Sequence, residues 1–447
     1  MADIANNYSR RERASVLVST FLGYGLDFYN IMIVVFLMGA IQKDLNLSLT
    51  QAGLITSVTL AGSIVGGVIF GWFGDRFGRK ASLQATLGLF SAGAVLSAFS
   101  WDFTSLLIFR LIAGIGLGGE WGAGEVLFNE VWDRKKRGFG SSLIQAASTG
   151  GFAMAVIVAV WTTTTFSPEW GWRIALLIGG CPILLMIYIR YSMPESRLWL
   201  AYNELRKSGG LPAEKQNAKS PLVEIFRGAS LRYTVLGLLL VSGYMFTFYS
   251  IQVFMPRVMT TAGATPEVLR TVSLILASTA AVCFIVLGYF SDRIGRKAAV
   301  AGPILLLILG MVGIYFTAKT SFPGSVLLWP LVSWYLLWGA GTTCAAMFGP
   351  WFAELFPVES RSSAVSTMYM VGRGFGSIAP VAVPALVPLA GGELSFAMMI
   401  GLPAAAIALV AALCLPETAG RSFAVVESKE RSSASTVKPE GVAYERI

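Results

Sequence analysis

Asp27 lies near the centre of a mostly apolar run, 14–41, within the stretch FLGYGLDFYN. About 14 residues flank it on each side, or ~21 Å at helical rise, so a helix through this run carries the carboxyl to the middle of a bilayer. A charge at that depth costs at least about 2.5–3.5 kcal/mol and marks function rather than packing. The chemistry available is gain and loss of a proton. The chain has no histidine, so a proton path through it must use carboxyl groups. Thr20, Tyr24, Asp27, Ile31 and Val34 share one helical face. Arg110, which opens the stretch RLIAGIGLGGEWG, is the natural cation for Asp27 and is expected to pair with it. It enters about 10 Å from one end of its helix, and its side chain is long enough to reach inward. Glu120 points about 80° away from Arg110 around the same helix, toward a cavity edge or a neighbouring helix, and is the alternative coupling carboxyl. Glu125, closer to the helix end, is assigned to a gate.

A second set of residues suits binding. Arg373 lies about 16 Å into its apolar run, between Gly372 and Gly374 in YMVGRGFG. A guanidinium fork facing a cavity matches a carboxylate bidentately. The second half of the chain shows no membrane-embedded acid to pair with it, so an anionic substrate would complete it. Tyr244, Phe248 and Gln252 form one helical stripe, and Trp334 and Trp338 another; both could floor a site for an amphipathic ligand. Tyr24 and Asn30, flanking Asp27, and Gln145 complete the expected substrate contacts. The four cysteines, Cys181, Cys283, Cys344 and Cys414, fall inside apolar runs with no short spacing, so they read as small core residues and not as a disulfide or metal framework. No nucleophile–base set, metal cluster or nucleotide loop appears. An enzyme is not expected, and neither is a cofactor.

These residues must be positioned by membrane helices. The chain is 55% hydrophobic and 13% charged, where a soluble domain carries roughly 25% charged residues. Twelve stretches are long enough to span the hydrocarbon: 14–41, 52–73, 81–100, 103–125, 139–162, 171–192, 232–255, 268–290, 298–318, 324–347, 362–388 and 394–415. The first reads as a retained helix, not a signal peptide. The net charge of +9 follows the positive-inside rule, not nucleic-acid binding. With the N-terminus inside, the inner loops hold Arg10, Arg11, Arg13, Arg76, Arg79, Lys80, Arg134, Lys135, Lys136, Arg137, Arg293, Arg296, Lys297 and Arg361. The outer loops hold Lys43, Arg173, Arg257, Arg270 and Lys319. The expected organisation is a six-helix bundle over 1–192, a linker over 193–231 with a short helix near 196–207, a second six-helix bundle over 232–415, and a polar, disordered tail over 416–447.

The halves repeat. GWFGDRFGRK at 71–80 and GYFSDRIGRK at 288–297 are near-copies. Glu130 and Arg137 match Glu354 and Arg361, each pair spaced E-x6-R. PESR at 194–197 matches PET with Arg421 at 416–421. Mixed-sign charges in fixed order at one membrane face suit a latch that closes across the bundles and must exchange partners to open. Its members are Gly71, Asp75, Arg76, Gly78, Arg79, Asp292, Arg293, Arg296, Glu130, Arg137, Glu354 and Arg361.

The pattern G-x-x-x-D-R-x-G-R-[KR], present twice, resembles the helix 2–3 signature of the major facilitator superfamily, and the stretch from Arg110 resembles its helix 4 signature. The resemblance covers essentially the whole chain. It implies an all-α fold of twelve transmembrane helices in two parallel-repeated bundles, and a coupling role for Arg110. PESRLWL at 194–200 and the E-x6-R turns resemble the sugar porters, whose hexose-binding glutamines are poorly matched here. The stretch around Asp27 looks more like the aromatic-acid and sialate/monocarboxylate proton symporters, which often carry D-x-x-D where this chain has Asp27 and Asn30. The Gly-Gly-Glu-Trp stretch resembles metabolite–proton symporters. The expectation is a monomeric, proton-driven importer of a small organic anion in a bacterial-type inner membrane, with both termini cytoplasmic. The alternatives are a proton antiporter expelling amphipathic compounds, a sugar or sugar-acid symporter, and a non-transporting receptor or scaffold, which would need a large extramembrane domain or signalling tail.

Overall fold

A computed structural model describes residues 8–209, 220–318 and 329–421, and it is nearly all helix. Lys319, the middle of the linker and the tail from 422 lie outside the described residues, as does the side chain of Arg270. The transmembrane elements are numbered here α1 to α12. The first half comprises α1 (Arg10–Asp44), α2 (Leu49–Phe77), α3 (Arg79–Ala98), α4 (Phe103–Val131), α5 (Arg137–Thr165) and α6, which runs as Pro168–Ile178 and Pro182–Ser192. The second half comprises α7 (Gly228–Gln252, extended by Met255–Thr261), α8 (Pro266–Ile294) and α9 (Arg296–Ala318). It continues with α10 (Trp329–Gly341, then Phe348–Leu355), α11 (Arg361–Gly376, then Ala379–Leu386) and α12 (Leu394–Ala397 leading into Gly401–Cys414). The helix expected near 196–207 is present as Arg197–Lys207.

Local sequence starts these helices where they start. Ser9 caps α1 and Ser48 caps α2 through capping boxes closed by Glu12 and Gln51, and Asp102 caps α4 through Ser105. At 35 residues α1 is about 52 Å long, enough to cross a bilayer and protrude from it. Eleven helices among the described residues are apolar and long enough to cross a membrane, which makes the chain a multi-pass membrane protein. The twelfth element, α11, falls short by length and composition. Its first piece has 16 residues and holds four serines or threonines with Arg361 and Arg373, and the helix breaks at Ser377 before Pro380.

Gly114 and Gly118 of α4 face α2. A side chain on Gly114 would run into the Thr59 backbone, and one on Gly118 into that of Ser63. Close backbone approach through small residues substitutes for the missing hydrophobic drive between helices in lipid. The halves meet along α2–α11 and α5–α8. Where α10 passes through a 3-10 segment at Thr342–Met347, the carbonyl of Thr342 accepts a hydrogen bond from Tyr244 at 2.9 Å. Irregular backbone at this depth is tolerated because it lines the space between the halves.

Candidate functional site

That space is a cavity of about 160 Å³. Tyr24 and Gln145 line it from the first half, and Tyr244, Phe248, Gln252, Trp338 and Arg373 from the second. Seven of the eight expected substrate contacts therefore converge. The apolar wall is a stack: Phe248 lies on Trp338 at 5.7 Å and Trp338 on Tyr335 at 5.5 Å. Gln252 is oriented by the Tyr335 hydroxyl, which donates to its Oε1 at 3.1 Å. The floor joins the halves. Tyr369 stacks on Trp121 at 3.6 Å, the Trp121 indole N–H donates to Gln145 Oε1 at 3.1 Å, and the Tyr24 and Tyr369 hydroxyls are 3.4 Å apart.

Arg373 is the charged member of this lining. It is 6% exposed, its guanidinium hydrogen-bonds the Tyr249 hydroxyl, and Tyr24 and Tyr369 lie within its electrostatic reach. No carboxylate among the described residues forms an ion pair with it. Asp27, whose chief charged neighbour is Glu120, also lies within the electrostatic reach of Arg373.

Asp27 is not paired with Arg110, contrary to expectation. It is hydrogen-bonded to Glu120 of α4, whose carboxyl fills the groove left by Gly23, one turn from Asp27. Both groups are buried, at 3% and 1% exposure. A carboxylate accepts and cannot donate, so this bond exists only with a proton on one of the two. Asp27 Oδ1 and Glu120 Oε2 are left without hydrogen-bond partners. Arg110 meets α1 three residues further along, where Nη1 donates to Asn30 Oδ1 at 3.4 Å, and its Nε and Nη2 have no hydrogen-bond partner. Asn30 is likewise misplaced by the sequence reading. Its amide donates to Gly179 O at 2.7 Å, inside the first bundle at the break in α6, and it does not line the cavity. Trp334 packs outward against Gly313.

At the basic end, where the repeated loops lie, the halves are locked together. Asp75 accepts from the N–H groups of Ser362 and Ser363 at the start of α11, at 3.0 and 2.8 Å. Asp292 accepts from those of Gly138 and Phe139 at the start of α5, at 2.9 and 3.0 Å. Each carboxylate thus sits on a helix N-terminus of the other half, where free N–H groups and the dipole favour it. Arg79 pairs with Glu130 at 3.2 Å and Arg296 with Glu354 at 3.0 Å. The crossing bonds are Arg361 to Glu130 at 2.6 Å and Arg137 to Glu354 at 3.8 Å. Gly71 of α2 lies against the Ser362–Ser366 turn of α11. Gly78 and Gly295 take φ of +107° and +92°, which only glycine adopts freely. Arg76 and Arg293 depart from expectation. They are exposed and lie over the rings of Trp72 and Tyr289, at 5.9 and 4.1 Å, because the residue after each aspartate turns away from the other half. Glu125 also lies outside this network.

Two further carboxyls clamp the loops. Glu195 accepts from the N–H groups of Arg79 and Lys80, and Glu417 from those of Arg296 and Lys297. Burial pushes the Glu195 carboxyl above its ordinary range, and backbone N–H groups and Arg79 offset this only in part. Burial acts upward on Glu417 too, but four backbone N–H groups outweigh it and hold that carboxyl low.

A family profile described as "Sugar (and other) transporter" matches residues 14–429. The chain belongs to this transporter family of the major facilitator superfamily. Its relatives include a "Probable 4-methylmuconolactone transporter" of Cupriavidus pinatubonensis, 28% identical over 93% of each chain. The niacin transporter of Acinetobacter baylyi is 27% identical over 90% of this chain and 93% of its own. Among solved structures, a major facilitator superfamily proton:xylose symporter superposes with a TM-score of 0.77 at 21% identity, over 93% of this chain and 98% of its own. The chain is a transporter by family and fold, not an enzyme. Within this transporter the sequence reading missed Tyr369, Trp121 and Tyr249. Tyr369 stands four residues before Arg373, on the same helical face, so the spacing held that signal. Trp121 and Tyr249 had none, because their roles arise from contacts between helices far apart in sequence, Trp121 with Tyr369 across the halves and Tyr249 with Arg373 within the second.

Proposed function

We propose that this transporter imports a small organic monocarboxylate, of aromatic-acid size, together with one proton. The observation that carries this reading is Arg373, a buried cation in an aromatic cavity with no ion-pair partner among the described residues. A substrate carboxylate on its fork supplies the missing charge, and a flat ring fits the Phe248–Trp338 stack. An apolar cavity of about 150 Å³ takes up one benzene ring, so the volume is of the right order. The relatives' names support the class: niacin is a pyridine carboxylate. An exported cation would be repelled by Arg373, and a neutral sugar would leave it unpaired.

Coupling follows from electrostatics. An anion on Arg373 would repel a bare carboxylate at Asp27, so anion and proton each favour the other's binding. The proton is held between Asp27 and Glu120. Anion and proton together cross as a neutral load. The basic end faces the cytoplasm of a bacterial-type plasma membrane, and its bonds must open for release; the protein works as a monomer. The test is thermal unfolding of purified protein with benzoate, nicotinate, benzamide and xylose. Ligand at 100 times its Kd stabilises by about 2.7 kcal/mol. A carboxylate should raise the midpoint while its amide does not. Stabilisation by xylose and by no carboxylate would overturn the assignment.

A further inference from the structure

Glu125 is a buried carboxyl, 2% exposed, that neither the cavity nor the gate uses. Neither of its oxygens holds a well-formed hydrogen bond, although the Ser141 hydroxyl of α5 is nearby. No Lys or Arg among the described residues forms an ion pair with it. It stands five residues beyond Glu120 on α4, about 7.5 Å nearer the basic end. Glu120 lies within its electrostatic reach, about 140° away around the helix at 100° per residue. From α10 of the other half Gly349 faces it, and the Glu125 carboxyl fills the space that a side chain on Gly349 would need. On its far side Asn129 donates to the Glu125 backbone carbonyl at 2.8 Å and contacts Ser141. Arg137 of the gate donates to the Asn129 carbonyl at 2.9 Å.

We propose that Glu125 is the release relay for the transported proton, placed between the Asp27–Glu120 pair and the gate; this rests on the proton-coupled reading above. With the gate closed Glu125 has no counter-charge or full set of hydrogen bonds, so it must be neutral, carrying its proton. Parting of the halves draws α10 away from Glu125 and admits water from the basic end. The Glu125 O–H gives its proton to that water, and the carboxylate left behind takes the proton held by Glu120 through admitted water that bridges the two. One proton leaves and one moves up, and the pair is emptied without opening to the substrate side. Gly349 is what lets a carboxyl stand at the seam between the halves.

The experiment is proteoliposome transport with wild type, Glu125→Gln and Glu125→Asp, reading proton-driven accumulation, proton entry and substrate exchange at equal reconstituted protein. Glu125→Gln should keep exchange and substrate affinity within about twofold while accumulation falls at least tenfold. Glu125→Asp keeps a titratable group and should recover coupled transport with a displaced pH profile. Coupled accumulation by Glu125→Gln at the wild-type level would overturn the relay and leave the coupled reading standing. So would parallel loss of exchange and accumulation in Glu125→Gln protein that still binds substrate. Should Glu125→Gln not fold, Glu125→Asp with an unchanged pH profile would overturn it as well. Wild type that moves substrate without protons would overturn both the relay and the reading beneath it.

Discussion

In the proposed function Arg373 serves binding and the Asp27–Glu120 pair serves coupling. Arg373→Ala should weaken carboxylate binding on the order of tenfold to a hundredfold, from the roughly 1.5–3 kcal/mol of a charge-assisted hydrogen bond. Arg373→Lys should restore only part of this, since an ammonium keeps the charge and loses the planar fork. Calorimetry on monodisperse protein reads this directly; equal affinity in all three would make Arg373 structural and remove the main support for an anionic substrate. The identity of these groups was legible in the sequence because charges are rare in apolar runs. Their pairing was not. Arg110 was the obvious cation for Asp27, but partner choice depends on helix rotation and depth. The structure sets Arg110 against Asn30 and brings Glu120, 80° around the same helix, to Asp27.

The loop clamps show how similar elements acquire different electrostatics. Glu195 and Glu417 hold matching backbone N–H groups, yet Glu195 is held high by burial and Glu417 low by its hydrogen bonds. The signs follow. A lowered carboxyl contributes stability above its unfolded value, near 4.5, and loses it as pH falls through the folded value. A raised one contributes below the unfolded value and loses it as pH rises through the folded value. At pH 7.5, therefore, Glu417→Gln should lower the unfolding midpoint in detergent, while Glu195→Gln should leave it unchanged or raise it. Equal losses would show that hydrogen-bond geometry alone decides. The helices themselves were legible from apolar run length; their starts, set by caps such as Ser9, Ser48 and Asp102, were not read from it. The breaks in α6, α7, α10 and α11 were not, because an apolar run reads the same straight or broken.

Across the whole molecule, one charged set is used twice. Each half lends an aspartate to a helix start of the other and an arginine to a glutamate of the other. Breaking one buried pair by removing a partner costs about 3–5 kcal/mol, so in the proposed cycle the gate would open only when the load in the centre favours the alternative arrangement. The repeat order announced this network of charges in the sequence, and the exposed placement of Arg76 and Arg293 trims it to the aspartates, Arg79, Arg296 and the crossing pairs. The cavity was half legible: its residues could be named, but the floor that Tyr369 and Trp121 make between the halves required the fold. The central claim is that an organic anion and a proton cross as one neutral load. Proteoliposomes given an inward proton gradient and the carboxylate that stabilises the protein most report on it directly. Wild type should accumulate the carboxylate with simultaneous proton entry, at a rate insensitive to membrane potential, and Asp27→Asn should lose accumulation while keeping part of its exchange. Carboxylate uptake without proton movement, or full accumulation by Asp27→Asn, would contradict it.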